Sequence, residues 1–143
     1  MKLNLLFENV TPVSLNQSAK ITTMGKFARK YKTDKTKQFE SNISSQLRKF
    51  KNDINKFNKT YDKDNFYIIS DYRFFMPVLV KDGSRISKRS GDLSNLVKVL
   101  EDQIFKQLHA DDSEVASLNI IKVESGHPRI EVDLELRDIR HIK

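Results

Sequence analysis

Four side chains in this sequence have the types and spacing for work on a phosphodiester: Asp92, Lys98, and the adjacent pair Asp111 and Asp112. Phosphodiester hydrolysis calls for a hard cation, and hard cations take carboxylate oxygens. Such an ion polarises the phosphoryl oxygen, activates water and screens the developing charge. A lysine held nearby stabilises the same anionic transition state. Two other stretches are dense in cations. Residues 20–37 carry Lys20, Lys26, Arg29, Lys30, Lys32, Lys35 and Lys37 against Asp34 alone, and residues 81–89 carry Lys81, Arg85, Lys88 and Arg89 against Asp82 alone. Stretches of this kind bind phosphates and give nucleic-acid affinity its salt dependence.

The elements that must position these groups follow from hydrophobic spacing. Leu93, Leu96, Val97, Leu100, Ile104 and Leu108 share one face, which predicts a helix over 93–108. Asp92 falls at its N-cap, while Ser94, Asn95, Lys98, Glu101 and Asp102 fall on the opposite, polar face. Ala110 to Ser113 reads as a turn and Val115 to Val123 as a strand. A helix of about 16 residues is roughly 24 Å long, so Asp92 and the Asp111–Asp112 pair start at opposite ends of it. Either the turn and the returning strand bring the acids together, or a second subunit contributes. The spacing leaves both routes open.

The rest of the chain supplies a scaffold. Leu3, Leu5 and Phe7 alternate in a first strand over 2–8, followed by turn formers over 11–16. The basic stretch 20–37 has no clear period and reads as irregular. Phe39, Ile43, Leu47, Phe50, Ile54 and Phe57 recur every three or four residues, which predicts one amphipathic helix capped by Thr36 or Asp34. Phe66 to Met76 is aromatic and β-branched, a long strand ended by Pro77, and 78–91 is irregular around an Asp82–Gly83 turn. Ser125 to Pro128 reverses the chain, and Ile130, Val132, Leu134 and Leu136 alternate with Glu131, Asp133, Glu135 and Arg137 in a final strand. The order β-α-β-α-β-β predicts a single α+β domain over 1–143, with one mixed sheet and two main helices on one face.

Composition narrows the chemistry. The chain has 143 residues, 38% hydrophobic and 31% charged, enough for one core. Its formal net charge is +7 and its pI about 9.6, which favours a polyanionic partner. No cysteine is present, so a disulfide scaffold, a cysteine zinc site and a thiol nucleophile are all excluded. His109, His127 and His141 lack metal-ligand spacing. The longest apolar run, Phe74 to Val80, is far short of the roughly 18 residues of a membrane span. The expectation is a soluble, cytoplasmic protein.

The run from Lys88 to Lys98, with Asp102 and then Asp111-Asp112-Ser113-Glu114-Val115, resembles the signature of RusA-type Holliday-junction resolvases. That signature is Asp-x-Asp-Asn-x-x-Lys-x-x-x-Asp followed by Asp-Asp-x-x-Val. Pro12-Val13-Ser14-Leu15-Asn16 is similar to the family's N-terminal turn, and the order of elements fits over nearly the whole chain. The resemblance implies a homodimeric endonuclease using magnesium, or manganese in its place, that cuts four-way or otherwise branched DNA. Such enzymes are common in phages and prophages and act in the host cytoplasm. It implies catalytic roles for Asp92, Lys98 and Asp112, a metal held by Asp92, Asp111 and Asp112, and support from Ser94, Asn95 and Asp102. Lys30, Lys32, Arg85, Lys88 and Arg89 would grip the DNA backbone.

One position departs from the signature. Ser94 stands where the family carries its second Asp, which removes one negative charge from the expected metal site. The alternative is therefore a branched-DNA-binding module of the same fold that cuts weakly or not at all. Each candidate also has an ordinary structural use. Asp92 can serve as an N-cap, Asp111 and Asp112 as turn residues, Asn95 as a brace, Lys98 as a solvated lysine, and Asp102 as its i,i+4 partner.

Overall fold

The computed structural model describes residues 1–12, 19–24 and 27–143, and for 19–24 and 27–32 the backbone alone. Ser14 and Asn16 of the N-terminal turn lie outside the described residues. The main sheet has four strands in the order β1-β6-β4-β5: β1 (Lys2–Glu8), β6 (Arg129–Asp138), β4 (Phe66–Met76) and β5 (Val115–Glu124). β6 pairs antiparallel with both β1 and β4, while β4 and β5 run parallel. Parallel neighbours need a crossover, and α3 (Leu93–Phe105) supplies it. The fold is thus α+β with a mixed sheet, as the element order predicts.

Alternation decides which face of the sheet is covered. Leu3, Leu5 and Phe7 of β1, Ile68, Tyr72 and Phe74 of β4, and Ile130, Val132, Leu134 and Leu136 of β6 are all buried. Register places Leu5 opposite Val132 and Tyr72 opposite the same residue, so these side chains form one apolar surface. The helices lie against it through Phe39, Ile43, Leu47, Ile54 and Phe57 on one side and Leu96, Leu100 and Ile104 on the other. The opposite face carries ion pairs, in which Arg73 bonds Glu131 at 3.0 Å and Asp133 at 2.9 Å.

Three sequence-based expectations need correction. The basic stretch 20–37 is largely ordered secondary structure: β2 (Ala19–Met24) and β3 (Phe27–Lys32) form an antiparallel two-stranded ribbon apart from the main sheet. Its sequence shows no clear apolar period, the signal from which a strand is read. The single helix expected over 39–57 is two, α1 (Asp34–Leu47) and α2 (Lys51–Thr60), joined by a 3-10 turn over Arg48–Phe50. A 3-10 turn has three residues per turn, so the step from Leu47 to Phe50 keeps the apolar stripe intact across the break. Phe50 meets Phe7 edge-on at 6.5 Å. The cap of α1 is Thr33, whose hydroxyl accepts from the Thr36 amide at 3.3 Å, because Asp34 and Thr36 already lie inside the first turn.

Candidate active site

α3 starts from a constrained loop. After β4, the chain makes a bridged excursion in which Leu79 pairs with Ile86, then a 3-10 turn over Lys88–Ser90 capped by the Ser87 hydroxyl. Gly91 follows at φ 88° and ψ 167°, a region open essentially to glycine alone. Asp92 is the N-cap, as its sequence position predicts. Its Oδ1 accepts from the Ser94 amide at 3.1 Å and from the Ser94 hydroxyl at 2.8 Å. These bonds, led by the one from the hydroxyl, hold the Asp92 carboxyl below its ordinary pKa. Ser94 therefore acts here as a donor to Asp92.

The far end of α3 comes back to its middle. Asp112 opens a 3-10 turn that leads into β5, and its Oδ2 accepts from Lys98 Nζ at 3.1 Å. Lys98 also reaches Asp102 Oδ1 at 3.2 Å, one turn further on. The two carboxylates, Asp112 first, raise the Lys98 pKa and keep it cationic. The reversal of direction after α3 is thus achieved within one subunit, at least as far as Lys98. Asp111 is bonded within the same turn. Its Oδ2 accepts from the Ser113 hydroxyl at 2.6 Å, its amide donates to Glu114 at 3.1 Å, and Glu114 in turn bonds the Tyr61 hydroxyl. The Ser113 hydroxyl lowers the Asp111 pKa. Asn95 is half-buried in the first turn of α3.

Glu101 departs from its expected place. The helical wheel puts it on the polar face, yet it is only 9% exposed. That side of α3 is closed by the sheet and by the turn that carries Asp112. Burial, then the negative charge of Asp112, raises the Glu101 pKa. Beneath it lies Tyr72, fully buried, whose hydroxyl has no hydrogen-bond partner among the described residues. Burial, then the negative charges of Glu101, Asp112 and Asp102, pushes the Tyr72 pKa well up.

Sequence reasoning missed Lys122. It stands on β5 opposite Phe74, at a position where the buried face would call for an apolar residue. Its Nζ donates to Ser90 Oγ and to the Gly91 carbonyl, each at 2.8 Å. The available signal was a lone lysine breaking the apolar run Ile120, Ile121, Val123.

Arg85, Lys88 and Arg89 are exposed on the loop just ahead of Asp92, and Lys30 and Lys32 lie on β3. An open cleft of about 540 Å³ beside this loop is lined by Pro77, Leu79, Lys81 and Arg89, among others. Among the described residues, no three carboxylates or imidazoles gather closely enough to hold a metal ion, and no helix is long and apolar enough to cross a membrane.

In the comparison with known families, the model described as Endodeoxyribonuclease RusA matches residues 9–135 of the 143. The chain belongs to the RusA endodeoxyribonuclease family. RusA membership implies an endonuclease that acts on Holliday junctions in recombination, and the match spans every element that carries Asp92, Lys98 and Asp112. No curated protein matches the chain.

Proposed function

We propose that this chain is a divalent-metal-dependent endonuclease that resolves four-way or otherwise branched DNA, working as a homodimer of a single domain spanning 1–143. The observation that carries the reading is the Lys98–Asp112 ion pair, which draws the late acid back to the helix that Asp92 opens. A two-fold dimer suits a substrate with two equivalent strands, because symmetry repeats each cutting site.

The donor chemistry fits a hard cation such as magnesium or manganese. Asp92 accepts from Ser94 through Oδ1, and Asp112 accepts from Lys98 through Oδ2. Asp92 and Asp112 would hold the ion, with Asp111 orienting the turn. When bound, the ion supplies polarisation of the phosphoryl oxygen and a more acidic water. The chain's own residues do the rest. Lys98, kept charged by Asp112 and Asp102, offers its ammonium to the scissile phosphate. Arg85, Lys88 and Arg89 grip the backbone next to Asp92, and Lys30 and Lys32 of the ribbon add phosphate contacts. Asn95 and Asp102 support α3 and Lys98. The site of action would be a bacterial cytoplasm, reached from a host or a phage gene.

A second reading rests on Ser94. Its hydroxyl is spent as a donor to Asp92 and brings no negative charge, which favours a module that binds junctions and cuts weakly or not at all. A synthetic four-way junction incubated with magnesium or manganese separates the two. Symmetric cutting that disappears in Asp112→Asn supports the enzyme. Tight binding without cutting, converted to cutting by Ser94→Asp, supports the module. No preference for the junction over linear duplex at one fixed salt concentration would sink both.

A further inference from the structure

The loop that presents Asp92 contains the most pliable residue near the site. Gly91 precedes Asp92 directly, and a residue without Cβ can swing through backbone states closed to any other. A pivot there would move the Asp92 carboxylate relative to Asp112. The fold sets a clamp at this pivot. Lys122 Nζ donates to the Gly91 carbonyl and to the side chain of Ser90, both at 2.8 Å. Ser90 is itself only 3% exposed, and its hydroxyl donates a hydrogen bond to the Ser87 carbonyl at 2.7 Å.

A lysine at this register position needs a reason. Its strand partner is Phe74, on the covered face of the sheet, where a charge is costly unless it is bonded. An apolar residue would satisfy the sheet but would leave the Gly91 carbonyl and Ser90 Oγ without the cation. Because β5 begins just after Asp112, one strand fixes both acids: one through the turn at its start, the other through Lys122 near its end.

We propose that Lys122 is a positioning residue that locks the Ser90-Gly91 pivot and so fixes Asp92 relative to Asp112. The role in cutting rests on the endonuclease reading; the clamp itself does not. The test uses the full chain with Lys122→Met, Lys122→Arg and Ser90→Ala. Amide hydrogen exchange is followed at residues 88–94, with α1 as internal reference. In Lys122→Met, exchange at 88–94 should quicken at least tenfold while α1 is unchanged, and Ser90→Ala should give a smaller change in the same direction. Lys122→Arg, which can still donate to both oxygens, should recover part of the protection. On a four-way junction, kcat should fall about 10- to 100-fold in Lys122→Met, the range seen when outer partners of metal ligands are removed. KM should stay within about twofold, because the residue acts through Asp92 and not on the DNA. Unaltered exchange at 88–94 in both Lys122→Met and Ser90→Ala would overturn the clamp. A raised KM with unchanged kcat would make Lys122 a phosphate contact and overturn the positioning role. If the wild-type chain cuts no junction, the endonuclease reading falls, and the exchange result still decides the clamp.

Discussion

Replacing Gly91 by alanine should be costly for two separable reasons, and the other described glycines provide the controls. At φ 88° and ψ 167°, Gly91 occupies backbone space that costs an L-residue about 1–3 kcal/mol. A Cβ there would also lie 3.2 Å from Leu96 Cδ2, and Leu96 is only 2% exposed, so it has little room to retreat. Gly83 shares the positive φ, at 76°, but its Cβ would meet nothing within 4 Å. Gly126 has neither burden. The expected order of destabilisation is therefore Gly91→Ala, at about 2–3 kcal/mol, then Gly83→Ala, at about 1–2 kcal/mol, then Gly126→Ala, near zero. For a chain of this size, about 2 kcal/mol lowers Tm by roughly 6 °C. Thermal unfolding of the three variants in one buffer measures the series. A Gly91→Ala variant that melts with or above Gly126→Ala would refute both the assigned backbone conformation and the packing of Leu96 beneath it.

Two more outcomes follow from the charged groups. Burial raises the Glu101 pKa above its unfolded value, so its contribution to stability is fully present at acid pH and is lost as pH rises through the folded pKa. Glu101→Gln should accordingly be more stable than wild type at pH 7, with the gap in Tm closing toward pH 4; a constant gap would contradict the burial argument. Arg89 is exposed beside Asp92, and Arg89→Ala should weaken junction binding evenly across DNA sequences and reduce the slope of log K against log salt by about one, as read from binding titrations at several salt concentrations.

What could be read from the sequence was what periodicity encodes. β6 and β1 alternate strictly because one face of each is buried, and α3 carries its buried stripe and its Asp92 cap in plain order. What stayed hidden lacks a local pattern. The β2–β3 ribbon forms a separate two-stranded sheet and its sequence shows no clear period, and the 3-10 break at Arg48–Phe50 preserves the spacing that would have betrayed it. Glu101 and Lys122 are set by tertiary context: the first is buried by elements distant in sequence, and the second makes sense only once β5 lies beside β4 with the start of α3 above it. The N-cap position of Asp92 and the polar-face position of Lys98 were legible through spacing, whereas their bonding partners, Ser94 as donor and Asp112 as counter-ion, needed coordinates.

The parallel pair β4 and β5, with α3 bridging them, has a genetic consequence. Asp92, Lys98, Glu101, Asp112 and Lys122 all belong to this one continuous stretch of chain, and the β2–β3 ribbon does not. One coding segment from β4 to β5 therefore carries these five side chains together, so an exchange upstream of β4 leaves their order and spacing unchanged.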